Sequence, residues 1–335
     1  MKNKFIVLLT ILVLIFISYN YLKTANTPKD SSNNTRSIPS QVQINNTAYF
    51  TGLNYLYSIN IKNRIKNTVS GYLGSGKAAD SVLMIKKNEY AISNESNAIN
   101  ICVLGQRSRS SGSRSKCSQG DFLSTINGYV SNGSFINFQG VGDLSLYGGY
   151  LYATDVINGA IVKINLLTFT ATSIITGLDN PHGIYFYNNY LYINLHSYPY
   201  QGKSCTLIKF NTLNLNVPSC VISVGGYADG VTGYKNNLYF VRDYLQPSGL
   251  YNASIDYINL NTLQYKNLIT IDKQYIDGIG YNSKTILAVF RSANPDVPGV
   301  KYYSYKEGLY DVSGRIPKLV SSGIYDGVYF PSTLP

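Results

Sequence analysis

Short apolar and alternating runs, separated by polar turns, fill the chain from about residue 47 onwards. This pattern predicts β-strands rather than helices. One strand start recurs, in which two polar or glycine residues precede an aliphatic residue, at intervals of 40 to 62 residues. Its six copies begin at Asp80, Gly142, His182, Asp229, Asp277 and Asp326. A period of ~40–50 residues built from short strands is typical of β-propellers, whose four-stranded blades surround a central channel.

The sixth copy lies at the C-terminus and has no downstream strand to pair with. Residues 47–51, 55–60 and 67–72 supply strands two, three and four of a blade that lacks its innermost strand. Residues 325–330 supply that strand, so pairing of the two ends closes a ring and removes exposed sheet edges. The sequence therefore predicts an all-β, six-bladed propeller over residues 47–335.

Two stretches in this pattern resemble a known repeat. Residues 147–165, YGGYLYATDVINGAIVKIN, resemble one NHL repeat, and residues 181–184 resemble the start of the next. The chain is thereby similar to six-bladed propellers of the NHL-repeat and gluconolactonase-like kind. That resemblance implies that innermost strands begin at one face, the top face, and that loops between strands three and four lie at the bottom face. The resemblance indicates the fold but says little about the function, because enzymes, binding modules and scaffolds all use this fold.

The N-terminus predicts export. Residues 5–18 are apolar apart from Thr10 and follow Lys2 and Lys4, as in a secretory signal or signal anchor over residues 1–22. The bulky residues that follow offer no small-x-small cleavage site, which favours a retained anchor over a cleaved signal peptide. Residues 23–46 are polar and predict a disordered stalk. We expect the propeller on the extracellular face of the cell membrane, or secreted or on a virion surface.

Cysteines and acceptor sequences agree with export. An even number of cysteines in an exported chain indicates disulfides, and the local pairs Cys102–Cys117 and Cys205–Cys220 each bracket strands three and four of one blade. Four unpaired core thiols are the alternative. N-glycosylation sequences begin at Asn33, Asn45, Asn94, Asn132 and Asn252. In an asparagine-rich chain such triplets also arise by chance.

The formal net charge is +11, although only 13% of residues are charged. Residues 106–116 contain four of the positive charges and lie inside the first cysteine pair, so we expect a bottom-face loop. This loop either contacts anionic membrane headgroups or is simply solvated. Nucleic-acid binding is not expected, because the chain is predicted to be exported and contains no recognised reading motif.

Carboxylates converge on the predicted top mouth of the channel. Asp80, Asp229, Asp277 and Asp326 occupy equivalent strand starts, and Asp143 is one position out of phase. Such a ring could hold a hard divalent cation such as calcium, and the resemblance to gluconolactonase-like propellers implies an ion at this mouth. The acid and amide ligands of those enzymes, however, cannot be matched one by one. The alternative is that each carboxylate caps the backbone of its own turn.

The two histidines, His182 and His196, map to the top of one blade. Together with Asp229 or Asp155 they could form a transition-metal or general-base site, and chance placement is the alternative. The candidates for ligand binding lie at the ends of second strands: Asp155, His196, Arg242, Asp243 and Arg291. The arginines could bind a carboxylate, phosphate or sulfated sugar, or neutralise the aspartates.

No Ser-His-Asp spacing, phosphate loop or nucleophile elbow is visible. The leading hypothesis is therefore a membrane-tethered extracellular binding module with a protein or glycan ligand on the top face. A metal-dependent hydrolase or lactonase, with His182 or His196 as base, is the second. A structural protein of a surface coat or virion is the third.

Overall fold

The computed structural model describes residues 46–52, 55–70, 73, 81–86, 89–94, 97–103, 117, 122–195, 205–245, 251–291 and 304–330. The predicted signal segment and stalk, the basic segment 106–116, Asp80 and His196 lie outside the described residues. Within the described part of the chain, no helix is long and apolar enough to cross a membrane.

The described residues form 26 strands in six sheets, which confirms the all-β, six-bladed propeller. Blade 1 contains β1 (Thr47–Gly52), β2 (Tyr55–Asn60), β3 (Ile65–Thr68) and, innermost, β26 (Val328–Tyr329). Blade 2 contains β4 (Val82–Lys86), β5 (Glu89–Asn94), β6 (Ala98–Val103) and β7 (Ser124–Ile126). Blade 3 contains β8 (Gly128–Ser131), β9 (Ser134–Asn137), β10 (Val141–Tyr147), β11 (Tyr150–Asp155), β12 (Ala160–Asn165) and β13 (Ala171–Ile175).

The last three blades follow the chain in order. Blade 4 contains β14 (Pro181–Tyr187), β15 (Tyr190–Leu195), β16 (Leu207–Asn211) and β17 (Asn214–Ile222). Blade 5 contains β18 (Tyr227–Tyr234), β19 (Asn237–Leu245), β20 (Tyr251–Asn259) and β21 (Gln264–Ile271). Blade 6 contains β22 (Tyr275–Tyr281), β23 (Ile286–Arg291), β24 (Gly308–Asp311) and β25 (Lys318–Ser322).

The ends of the propeller pair as the sequence predicts. β26 lies antiparallel to β1, with Phe50 opposite Val328, and the N–H of Thr51 donates to the carbonyl of Gly327 at 3.0 Å. Three strands differ in their bounds from the prediction: β1 extends to Gly52 rather than 51, the fourth strand of this blade is Ile65–Thr68 rather than 67–72, and the closing strand has two residues rather than six.

Adjacent innermost strands contact one another around the ring, in the order β4, β10, β14, β18, β22, β26 and back to β4. The apolar core is divided into six clusters, each built from side chains of two neighbouring blades. Phe50 and Leu287, for example, pack together between blades 1 and 6. The blades are therefore held together by burial of their faces against each other.

A short hairpin explains the long first interval of the repeat. β8 and β9 pair with each other between blades 2 and 3, and β8 then adds in parallel to β13, the fourth strand of blade 3. Blade 3 therefore has six strands in the order β10-β11-β12-β13-β8-β9.

Both local disulfides are present. Cys102 is bonded to Cys117 and Cys205 to Cys220, and no free cysteine occurs among the described residues. All four belong to local pairs in blades 2 and 4, so the alternative of unpaired core thiols is excluded.

Candidate functional site

The recurring strand start is a β-bulge at the top of the channel. The register of the first two strands shifts at Val141/Leu144, Pro181/Ile184, Ala228/Val231 and Ile276/Gly278, in blades 3 to 6. A bulge adds one unpaired residue and redirects its side chain. In blades 4 to 6, glycine follows the redirected residue because the innermost strands lie very close together: a Cβ at Gly278 would lie 2.5 Å from the carbonyl oxygen of Asp326.

In blades 2 to 4, a polar side chain on the second strand links neighbouring strand starts. It accepts a hydrogen bond from the backbone N–H of its own strand start and donates to a carbonyl of the next. Thr154, for example, accepts from Asp143 N at 2.9 Å and donates to His182 O at 2.8 Å. Ser93 and Asn194 do the same in blades 2 and 4.

Blades 5 and 6 depart from this arrangement. Val241 and Val289 occupy the positions equivalent to that polar side chain. Each directly follows the second-strand residue that pairs with the aliphatic residue of the strand start. Charged residues appear two positions later, on the same side of each strand, as Asp243 and Arg291. These two charged side chains of second strands therefore lie in adjacent blades.

These two residues belong to one group of charged and polar side chains, here called the mouth cluster. Its members are His182, Asp229, Asp243, Tyr275, Asp277, Arg291 and Asp326. The cluster spans blades 4, 5 and 6 and the segment that leads into the closing strand of blade 1.

Arg291 joins blade 6 to the segment leading into the closing strand. Its Nη1 donates to Asp277 Oδ2 at 2.6 Å and also to Asp326 Oδ1. The Asp326 side chain is 1% exposed and that of Asp277 is 19% exposed. Arg291 thus neutralises a buried carboxylate on one side and a partly solvated one on the other.

Asp229 lies between two blades. Its Oδ2 accepts a hydrogen bond from the Tyr275 hydroxyl at 2.7 Å, and its Oδ1 lies 3.5 Å from His182 Nε2. Burial, and then the charge of Asp229, raise the pKa of Tyr275 well above its usual value. The hydroxyl therefore remains a donor to Asp229.

Asp243 interacts with Asp229 inside the cluster. Its side chain is fully buried, and neither carboxyl oxygen has a hydrogen-bond partner of normal geometry among the described residues. Burial, followed by the charge of Asp229, raises its pKa well above the usual value, and the backbone N–H of Ile276 opposes this only in part. In its neutral form Asp243 can donate its proton to Asp229.

Asp143 occupies a separate place at the mouth. Its Oδ1 accepts hydrogen bonds from Ser81 Oγ at 3.0 Å and Leu144 N at 2.8 Å, and its Oδ2 accepts from Ile184 N at 3.2 Å. Burial raises its pKa to about 6, although these three donors act in the opposite direction. Asp143 therefore links the strand starts of blades 2, 3 and 4.

The structure places Arg242 in a different network from Asp243. Its Nε donates to Asp256 Oδ2 at 2.7 Å, and Nη1 donates to Val224 O at 2.9 Å. Asp256 is fully buried and also accepts from Tyr265. This network ties strands of blade 5 together.

Asp155 also has structural partners. It accepts from Gln139 N at 3.0 Å and from Asn158 Nδ2 at 2.8 Å. Burial raises its pKa, and the hydrogen bonds from Asn158 and Gln139 lower it in part. These contacts hold the segment between the β8–β9 hairpin and β10 against the top of blade 3.

Among the described residues, no group of three or more His, Cys, Asp or Glu side chains is arranged to hold a metal ion. Of the predicted metal residues, Asp229, Asp277 and Asp326 lie in the mouth cluster, and Asp80 is outside the described part. Tyr275 was missed by sequence reasoning. The feature of the sequence that could have identified Tyr275 is its position two residues before Asp277, where a copy of the recurring strand start begins.

Two of the predicted glycosylation sequences lie entirely within the described residues. Asn132 is exposed in the β8–β9 turn, with φ of 49°. Asn252 is half-buried, its side-chain oxygen accepts from Lys273 N at 3.0 Å, and Ser254 of its sequence is fully buried. Asn33 and Asn45 lie outside the described residues, as does the side chain of Asn94.

Comparison with known proteins supports the fold. No protein-family model and no curated protein sequence matches the chain. A chain from the crystal structure of a nidogen/laminin complex is 11% identical with a TM-score of 0.56, and the match covers 84% of this chain and 97% of that one. The hydrazine synthase of Kuenenia stuttgartiensis is 11% identical with a TM-score of 0.47, over 70% of this chain and 62% of that one.

Proposed function

We propose that this chain is an exported, membrane-tethered β-propeller that acts as a binding module, and that a positively charged group of its ligand contacts the mouth cluster. The observation that carries the proposal is the excess of carboxyl groups over basic groups in the mouth cluster. Among the described residues, the cluster contains four carboxyl groups, of Asp229, Asp243, Asp277 and Asp326, and one guanidinium group, which pairs with Asp277 and Asp326. Within the same part of the chain, Asp243 is buried without a hydrogen-bond partner of normal geometry.

The first strand of the propeller begins at the end opposite the mouth. β1 runs antiparallel to β26, which begins at the mouth, so Thr47 lies at the other end of blade 1. This direction of β1 agrees with the proposed tether. The two disulfides are typical of exported proteins.

The chemistry of the mouth favours a protein ligand over a neutral glycan. An ammonium or guanidinium group placed among partly desolvated carboxylates gains strong charge-assisted hydrogen bonds. Lysine and arginine side chains supply such groups, whereas most glycans carry none. His182 and Asp277 are partly exposed, at 24% and 19% of their side chains, and give a ligand access to the cluster.

Binding of lysine- and arginine-containing peptides, compared with norleucine and citrulline isosteres, tests the proposal. We expect the cationic peptides to bind at least tenfold more tightly, and Asp277→Asn to abolish this preference. Glu89→Gln is the matched control, because it removes the same charge at the bottom end of β5. Equal binding of cationic and neutral peptides, no binding of either, or an equal effect of Glu89→Gln would refute the proposal.

A metal-dependent hydrolase or lactonase, in keeping with the gluconolactonase-like resemblance, is the second candidate function. Its support is the position of His182 Nε2, 3.5 Å from the Asp229 carboxylate, at a mouth that also holds Asp277 and Asp326. Metal analysis of the purified protein, with assays on lactones and esters before and after chelation, tests it. Activity that is absent or indifferent to the chelator would eliminate it.

A further inference from the structure

The β8–β9 hairpin leaves one edge of blade 3 open. Its two-residue turn, Asn132-Gly133, has φ values of 49° and 79°, as in the tight turns that favour regular hairpins. Among the described strands, β9 is the outermost of six, and its far edge pairs with no other strand. In the described part of the chain, the other blades have four strands each.

The hairpin register determines which backbone groups lie on that edge. In a two-residue hairpin the residues flanking the turn exchange both backbone hydrogen bonds, and such pairs alternate along the ladder. Ser134 and Ile136 therefore direct their N–H and C=O groups towards β8. The bond from Phe138 N to Asn127 O, 3.0 Å, continues the same alternation. Phe135 and Asn137 direct theirs towards the open edge.

Most other outer strands carry a feature that discourages pairing with another chain. Exposed lysines and prolines are common protections of edge strands. They are present in β3 as Lys66, in β17 as Pro218, in β21 as Lys266 and in β25 as Lys318, while β7 has only three residues. β9, with the sequence SFIN, has neither residue type.

The chain segment that contains the β8–β9 hairpin is uncharged and partly apolar. No charged residue occurs from position 122 to position 142, although the whole chain has a net charge of +11. Phe135 is 65% exposed, and Val130, directly opposite it on β8, is 44% exposed. The segments of two copies that would pair at this edge therefore contain no like charges.

We propose that β9 pairs with β9 of a second copy of this chain, as antiparallel strands related by a two-fold axis at Ile136. In this register Phe135 of each copy lies opposite Asn137 of the other, and each of the two pairs exchanges both backbone hydrogen bonds. All outward backbone groups of β9 are thereby satisfied. The two Phe135 rings become diagonal neighbours on one face, at ~7–8 Å between backbones, which aromatic side chains can span.

The pairing is weak in dilute solution. A four-residue edge buries much less than the ~1,200–2,000 Å² of a standard stable interface. High local concentration, as on a crowded surface, would strengthen it because the second contact becomes effectively intramolecular. The two six-stranded sheets then form one continuous sheet, which would suit the surface-coat role considered above and does not depend on a ligand at the mouth.

Sedimentation of the full chain in detergent micelles, from micromolar to near-millimolar concentration, tests the association. Phe135→Pro removes only the outward N–H and leaves the bonds to β8 in place. Phe135→Lys places two added charges at the interface. Leu213→Lys is the matched control, since Leu213 is 89% exposed in a turn of blade 4. We expect dimer dissociation constants at least tenfold larger for both Phe135 variants and unchanged for Leu213→Lys.

Oxidative cross-linking tests the register. Ile136→Cys places two thiols at the two-fold axis, where opposite Cβ atoms lie ~4.5–5.5 Å apart. Phe135→Cys places its thiol opposite Asn137 instead. We expect Ile136→Cys to form a disulfide-linked dimer at least tenfold faster than Phe135→Cys. A parent chain that stays monomeric throughout, Phe135 variants that dimerise like the parent, or equal cross-linking of the two cysteine variants would overturn the proposal.

Discussion

Replacement of Arg291 by methionine is expected to destabilise the propeller strongly, because Arg291 is the counter-ion of a buried carboxylate. Methionine keeps much of the side-chain length but removes the donors to Asp277 and Asp326. The Asp326 side chain is 1% exposed, so water cannot replace the lost partner, whereas Asp277 at 19% is partly solvated. Breaking a buried pair by removing one member costs about 3–5 kcal/mol.

Equilibrium unfolding in urea measures this cost. The chain has no tryptophan, so tyrosine fluorescence and far-UV circular dichroism are the suitable signals. For an m-value of about 3 kcal/mol/M, the midpoint is expected to fall by roughly 1–2 M. Arg315→Met, which removes an exposed arginine, is the matched control and is expected to change the free energy of unfolding by less than about 0.5 kcal/mol.

A second variant separates the lost charge from the lost packing. If the cost arises from an uncompensated carboxylate, Asp326→Asn in the Arg291→Met background should restore part of the free energy of unfolding. A double-mutant cycle on these two positions then gives the coupling energy. If Arg291→Met and Arg315→Met have equal effects, Arg291 behaves like a surface ion pair, worth about 0–1 kcal/mol, and the reasoning is wrong.

Three further predictions concern single positions or one disulfide. The folded state raises the pKa of Asp243 above its unfolded value of about 3.9. The free energy of unfolding of the parent therefore falls as the pH rises from the unfolded pKa through the raised, folded pKa. Asp243→Asn should remove this fall, so its free energy of unfolding should equal that of the parent only in acid. Gly278→Ala places a Cβ 2.5 Å from a backbone carbonyl and should cost about 1–3 kcal/mol, whereas Gly314→Ala, with no atom within 4 Å, should be nearly neutral. Serine at both Cys205 and Cys220 should cost about 3 kcal/mol, the chain-entropy value for a loop of about 15 residues.

Urea midpoints measured from pH 4 to pH 8 test the first of these, and parallel pH profiles for parent and variant would contradict it. Equal costs at the two glycines would contradict the close approach of the innermost strands. For the disulfide, the informative comparison is with serine at both Cys102 and Cys117, since the two sequence separations are equal at 15. A large difference between the two pairs would show that chain entropy alone does not set their contribution.

The hydrophobic period was sufficient to predict the fold. Strands of a propeller bury alternate or continuous apolar residues against neighbouring blades, so the pattern repeats with each blade. Closure followed from one strand left over at the C-terminus, because an innermost strand needs a hydrogen-bonded neighbour. The disulfides followed from equal local spacing in a chain predicted to be exported.

The β8–β9 hairpin was not predicted, although the interval of 62 residues between the first two strand starts was visible. An insertion of that length could form a loop, a hairpin or an addition to either flanking blade. Its pairing in parallel with β13, through Thr172 and Val130, depends on a contact between strands that are distant in sequence. Local pattern contains no information about that choice.

By itself, the sequence determined an all-β ring of six blades, its closure and its two local disulfides, because each depends on periodicity or short spacing. Only the tertiary structure decided which charged residues act together. Arg242 and Asp243 are adjacent in sequence, yet alternation along β19 directs Arg242 to Asp256 of its own blade and Asp243 towards Asp229 and the next blade. Buried charges interact over a few ångströms, and those distances are set by how the blades pack.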